Sequence, residues 1–482
     1  MIALAQSVLV LAAASVNLRW GILGLFICLA FAPRSLGLFV GGADVSLTFL
    51  RLTFPVLFCV LFLAISARKS SGPNIHASPF EEPAFLLLLL LGGYKVLATL
   101  QVGGTPVYAL ESLLLSAGAF WVFYVLSSEK MLRAMGAAMI CACLLIVCII
   151  PVELAVQRAV HFFVADQNAF LHDLVSADTT DRGYRVQAVF DNSLGLAEYL
   201  IYALPFVLFW RSRAGAISWI GLTVLLVGIV VVGVLTGSRG FVLFGGLTMG
   251  VYGAALAWPR LSRLVRLMCT IMIVPVFVAA LTGTGYVILS LIEDALDAPL
   301  HMIAGAEQRS TLSRALQFQE VAHAVWQRPI FGFGVLQNFA EQLDDVRRLD
   351  SYYLRTALEA GVPGFVGFLA FLGACLMAVR RIGASARTRA DRAFFALALS
   401  LLAAFCGAKM FLSTPTNNFI FFAGMGLMLG LAQKRRKGVR PEISRARGHA
   451  ADLLASYRAN PPSGGRSFGN GPSHAPDASL AS

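Results

Sequence analysis

The sequence predicts an all-α polytopic membrane protein of about twelve transmembrane helices, with two long outer loops. Three observations predict it. Of 482 residues, 58% are hydrophobic and 13% charged, with a mean hydropathy of +0.75; soluble domains carry about 25% charged residues. Apolar runs long enough to cross a bilayer recur almost from end to end. The basic residues gather in short loops and a tail. A water-soluble enzyme and a nucleic-acid-binding module are excluded. The net charge of +12 reflects membrane topology instead.

A span needs about 20 apolar residues. Such runs lie near 10–32, 46–66, 83–100, 107–127, 134–154, 192–210, 214–235, 239–258, 266–290, 354–379, 393–411 and 414–432. The first has two readings, since the run before Asn17 and Arg19 is long enough for a short helix of its own. A cytoplasmic C-terminus fixes the rest by alternation. The inner loops then hold Arg68/Lys69, Lys130/Arg133, Arg211/Arg213, Arg260/Arg263/Arg266, five arginines from Arg380 to Arg392 and nine basic residues of the tail. That is 23 of the 38 lysines and arginines, the asymmetry that places both termini in the cytoplasm.

The expected organisation is N-terminal spans over 1–155, an outer loop at 156–191, spans over 192–290, a large outer loop at 291–352, C-terminal spans over 353–433, and a basic, Pro/Gly/Ser-rich disordered tail at 434–482. The tail's basic part suits anionic lipid. In the large loop Leu312, Ala315, Leu316, Ala322, Val325 and Trp326 recur at helical spacing, which predicts an amphipathic helix against the membrane or the bundle. Pro329-Ile-Phe-Gly-Phe-Gly334 ends it. All eight cysteines (28, 59, 141, 143, 148, 269, 375, 406) lie in apolar runs, so no disulfide framework is expected. The first 18 residues lack Lys and Arg, so the apolar start reads as a retained anchor.

Charged groups at membrane depth are expensive and therefore candidate functional groups. Arg239 stands in Thr236-Gly-Ser-Arg-Gly240, between two apolar runs, where a helix begins. Ser238 or Thr236 can cap that helix. An arginine is repelled by the positive end of a helix dipole, unless an anion such as phosphate sits there. The plain alternative is a tight turn with a snorkelling arginine. Arg185, before the span that opens at Asn192, and Arg309, at the head of the amphipathic helix, are solvated or paired charges when taken singly. Three converging outer arginines would suit a diphosphate, which accepts bidentate guanidinium forks. Asp350 and Glu359 are the candidate catalytic carboxylates. Asp350 is also a natural N-cap, and Glu359, deep in an apolar helix, needs a partner and could serve structure through it. Lys95 and Lys409 read as snorkelling or paired. No metal site is indicated, since the outer His301 and His323 lack a ligand-spaced neighbour.

These residues resemble the O-antigen ligase and bacterial polysaccharide polymerase superfamily of membrane glycosyltransferases, over roughly residues 180–380. Arg185-Val-Gln-Ala-Val-Phe-Asp-Asn192 is similar to the family's Arg-x-x-Gly-x-Phe-x-x-Asn entry into a span, with Ala188 at the glycine and Asn192 one residue early. Thr236–Gly240 resembles its Ser-Arg-Gly motif. Arg309 with Trp326-Gln-Arg-Pro-Ile-Phe-Gly-Phe-Gly334 and Asn338-Phe339 is similar to its Arg … Pro-Leu-x-Gly-x-Gly-x-x-Asn-Phe loop, with Asn338 one residue late. Asp350-Ser-Tyr-Tyr-Leu354 with Glu359 and Gly361 resembles His-Asn-x-x-Leu-x-x-x-x-Glu-x-Gly. Family ligases place a histidine where this chain has Asp350, and an asparagine at Ser351, so the resemblance leans to the polymerase branch.

It implies a GT-C-like fold and a polyprenyl-diphosphate-linked glycan donor at the outer face of a bacterial inner membrane. It implies attack by a sugar hydroxyl without a metal ion or cofactor. Arg185, Arg239, Arg309 and Asn192 would bind substrate and Asp350 and Glu359 would act in catalysis. Membrane lipid and a protein that regulates chain length are the partners to expect, and nucleic acid is not. A ligase acting on another acceptor and a transporter of the same lipid-linked glycan are the competing readings. A transporter would show internal repeats, and the two halves of the chain show no convincing one. A structural or regulatory scaffold leaves the arginine motifs unexplained.

Overall fold

The computed structural model describes residues 2–31, 38–39, 46–47, 53–59, 78–156, 185–190, 192–257, 317–318, 320–335, 349, 351–411 and 417–436. The described chain is helical apart from one antiparallel pairing of Leu38–Phe39 with Ser46–Leu47. In chain order the helices are α1 (Ile2–Val16), α2 (Leu18–Ala30), α3 (53–59), α4 (Pro83–Gln101), α5 (Pro106–Val125), α6 (Glu129–Val156), α7 (Ser193–Arg211), α8 (Ala216–Leu235), α9 (Arg239–Ala257), α10 (320–327), α11 (Tyr352–Ser385), α12 (Arg389–Phe411) and α13 (417–436). Among the described residues, eight helices (α4–α9, α11 and α12) are long and apolar enough to cross a membrane. This is a polytopic α-helical membrane protein.

The start of the chain forms two helices, not one span over 10–32. Asn17 breaks the run: its side chain accepts a hydrogen bond from the Arg19 amide at 3.0 Å and caps α2. The expected span near 46–66 is described over α3 and at Ser46–Leu47, which pair as a strand and not as helix, and the span near 266–290 lies outside the described residues. Prolines 83 and 106 open α4 and α5, where the missing N–H costs nothing.

Residues 1–432 make one compact unit and 433–482 a second, described only over 433–436. The first unit is built around α7, which is buried along nearly its whole length. Helices α6, α9 and α12 pack on it. An aromatic stack locks α12 to the start of α13, with Phe405 and Phe421 rings 3.8 Å apart and nearly parallel. Helix α8 also packs on α7 but turns Ile217, Val224, Val227, Val231 and Val234 outward, the lipid-facing pattern of a peripheral span.

Ion pairs and caps mark the two ends of the bundle. At one, Arg381 of α11 meets Glu82 before α4 at 2.7 Å, and Arg213 donates to the Ala390 carbonyl at 3.1 Å. At the other lie the turns after α4 and α8, residues 185–190 and the start of α11. Of the candidate residues, Arg185, Asn192, Arg239 and Glu359 lie at that end.

Helix α10 differs from its sequence reading. Val321, Ala324 and Val325 face Leu349 and Leu358, whereas Ala322 and Trp326 are exposed. Within α10 the i, i+3, i+4 face that packs is offset by one residue from Ala322 and Trp326, whereas Leu312, Ala315 and Leu316 of the expected stripe lie outside the described residues.

Candidate active site

The segment that carries Arg185 is fastened on two sides before it enters α7. Val186 donates its amide to the Leu235 carbonyl at the end of α8 at 3.4 Å. Glu153, fully buried near the end of α6, accepts from the amides of Gln187 at 2.8 Å and Ala188 at 2.7 Å. Ala188 holds a left-handed φ of 51°, a conformation costing a non-glycine residue about 1–2 kcal/mol. A glycine would hold this φ without that cost.

From there the Arg185 side chain lies against Gly237. A Cβ at that glycine would stand 3.0 Å from Arg185 Nε and 3.4 Å from its Cγ and Cδ. Arg185 and the Thr236–Gly240 turn, 51 positions apart, thus form one surface. Of the two candidate caps of α9, Ser238 serves: its Oγ accepts from the Phe241 amide at 3.3 Å. Thr236 braces the turn, donating to the Gly233 carbonyl at 2.6 Å and accepting from the Ser238 amide at 3.2 Å. Arg239 is the exposed first residue of α9.

A second group forms where α11 breaks. Gly361 has φ 63° and ψ −166° inside the helix, and Pro363 follows. The turn Pro329–Gly334 fills the break. Phe333 and Gly334 donate to the Leu358 and Glu359 carbonyls at 2.9 and 3.0 Å, and Val362 donates back to Pro329 at 2.8 Å. Gly332, with φ 61°, and Gly361 approach so closely that a Cβ on either would strike the other segment's backbone. From α4, Thr99 accepts from the Val335 amide at 3.0 Å, and the Tyr94 hydroxyl donates to the Ile330 carbonyl. The loop is clasped to two helices by backbone groups that the break exposes.

The Glu359 side chain, at the same break, is buried between two cations. Lys95 of α4 donates to Oε2 at 2.8 Å and Arg355, one turn earlier on α11, to Oε1 at 2.6 Å. Both oxygens are engaged.

A third group lies beside it. Glu198 of α7 pairs with Lys409 of α12, both fully buried. Tyr202 donates to Glu198 Oε1 at 3.3 Å, and Asn417 donates to Glu198 Oε2 at 3.5 Å and to the Gly195 carbonyl at 2.9 Å. The Tyr352 ring links the two ion pairs, with Lys95 Nζ and Lys409 Nζ each 5.5 Å from its centroid, inside cation–π range.

Asn192 caps α7, its Oδ1 accepting from the Gly195 amide at 2.6 Å. Ser351, not Asp350, caps α11, accepting from the Leu354 amide at 3.5 Å. Arg309 and Asp350 lie outside the described residues. Glu153, Glu198 and their contacts were not singled out from the sequence. The signal was present: each is a lone carboxylate inside an apolar run, the same feature that drew attention to Glu359.

Residues 222–369 match the family model for O-antigen ligase. The match takes in the Thr236–Gly240 turn, Arg309, the Pro329–Gly334 clasp and the Asp350–Gly361 segment; Arg185, Asn192, Lys95 and Lys409 lie beyond it. No curated protein matches the chain.

Proposed function

We propose that this multi-pass membrane protein, with an O-antigen ligase-type domain over residues 222–369, is a glycosyltransferase that polymerises polyprenyl-diphosphate-linked oligosaccharide repeats. The reaction takes place at the outer face of a bacterial inner membrane, with both termini cytoplasmic. The observation that carries this reading is Arg185 lying against Gly237, two residues from Arg239. Two guanidinium groups at one membrane-edge surface suit a diphosphate leaving group.

In the proposed step an acceptor sugar hydroxyl attacks the anomeric carbon of the donor. The bond from that carbon to the diphosphate oxygen breaks, and polyprenyl diphosphate leaves with the electron pair. Arg185, Arg239 and Arg309 neutralise its growing charge, in the role a metal ion takes elsewhere. Asp350 accepts the hydroxyl proton. Glu359 acts through its ion pairs, holding Lys95 and Arg355 beside Tyr352. Asn192 orients the entry to α7 next to Arg185. A chain-length regulator would act on the growing glycan.

The test is a cell in which this chain is replaced by its Arg185→Ala variant. Long-chain glycan should disappear while lipid-linked single repeats accumulate. The second reading, an O-antigen ligase, is favoured by the matched family itself; it would instead leave fully polymerised lipid-linked glycan unattached. Lipid-linked repeats accumulating on the cytoplasmic face alone would indicate a transporter.

A further inference from the structure

We infer that Glu153 is a positioning residue for Arg185. The inference rests on the reading of Arg185 as a donor-binding group. Two successive backbone N–H groups, at Gln187 and Ala188, point at one carboxylate. Successive amides aimed at one group make an anion-binding concavity. Here the anion is built in, because Glu153 reaches it from α6, fully buried. The left-handed Ala188, φ 51°, is the residue whose amide this carboxylate holds. Val186, between the nest and Arg185, is tied to the last residue of α8 at 3.4 Å. Glu153 therefore fixes the two residues that follow Val186, and Val186 fixes where Arg185 leaves the backbone. The guanidinium stem then rests on Gly237. A fully buried carboxylate at the edge of an apolar helix is costly, and charge-assisted bonds to a segment with no regular structure of its own are what compensate it here. Its consequence is an arginine delivered to the Thr236–Gly240 turn from a neighbouring element.

The test uses the full-length protein in detergent or membranes, with Glu153→Gln, Arg185→Ala and the double variant. The glutamine keeps the shape and one acceptor oxygen but turns an N–H donor toward the nest. Hydrogen exchange of a peptide covering 186–190 reads the nest without any reference to activity. Exchange should quicken in Glu153→Gln and stay slow in Arg185→Ala. Glycan transfer by Glu153→Gln should fall by about 10²-fold, the cost of an ångström-scale misplacement, and Glu153→Gln should cost nothing more in the Arg185→Ala background. Unchanged exchange in a Glu153→Gln protein that reaches the membrane in normal amount overturns the inference. So does a loss of rate that simply adds to that of Arg185→Ala, which is the pattern of a general stability defect. If Arg185→Ala itself retains full activity, the donor-binding reading fails and the positioning role falls with it; the exchange data show separately whether Glu153 holds the segment.

Discussion

Lys95 and Glu359, 264 positions apart, meet at 2.8 Å with both side chains buried. Arg355 holds the other oxygen of the same carboxylate at 2.6 Å. The arrangement is asymmetric, and the asymmetry is testable. Removing Lys95 leaves Glu359 still paired, whereas removing Glu359 leaves two cations side by side. Breaking a buried pair costs about 3–5 kcal/mol. We expect Glu359→Gln to lose stability in that range and Lys95→Met to lose clearly less. Thermal unfolding in detergent, followed by intact-protein chromatography, measures both. Equal losses would contradict the two-cation arrangement.

Gly332 and Gly361 should tolerate no side chain. Alanine at either adds a left-handed penalty of about 1–2 kcal/mol and drives a methyl into the backbone of the opposite segment. Gly361→Ala and Gly332→Ala should each unseat the Pro329–Gly334 turn and abolish transfer, and the double variant should be little worse than either single one. Proteolysis at Arg328, rising in both variants, would report the unseating.

Arg239 is expected to act through its fork as well as its charge. Arg239→Ala and Arg239→Lys should both abolish polymer while protein levels in the membrane stay normal, because lysine cannot bind two phosphate oxygens in one plane. Near-normal transfer by Arg239→Lys would refute bidentate binding. Near-normal transfer by Arg239→Ala would remove Arg239 from the site.

The eight described spans were legible because their code is local: apolar runs of span length, and prolines at the starts of α4 and α5. The Asn17 break was legible as one of two readings, since Asn can continue a helix or cap one. The partners were not legible. Glu359 announced that a partner was needed, and Lys95 and Lys409 read as snorkelling or paired, but helix packing alone decides that Lys95 takes Glu359 and Lys409 takes Glu198. Ala188 stood out where the resembling family has glycine; only the backbone shows that the place is left-handed and braced by Glu153. The offset face of α10 was misread because its hydrophobic residues fit two adjacent stripes. Asp350 was weighed as an N-cap, a task that the neighbouring Ser351 performs.

That last point sharpens the test of the mechanism. Asp350→Asn keeps size and removes the proton acceptor, and the α11 cap at Ser351 is untouched. The decisive measurement is turnover by the purified protein, reconstituted with a polyprenyl-diphosphate-linked oligosaccharide and followed as a ladder of glycan lengths in the presence of a metal chelator. The native chain should build the ladder, and the Asp350→Asn protein should build it at least about 10²-fold more slowly, the contribution of a general base. No ladder from the native chain, or an equal ladder from Asp350→Asn, would contradict the account.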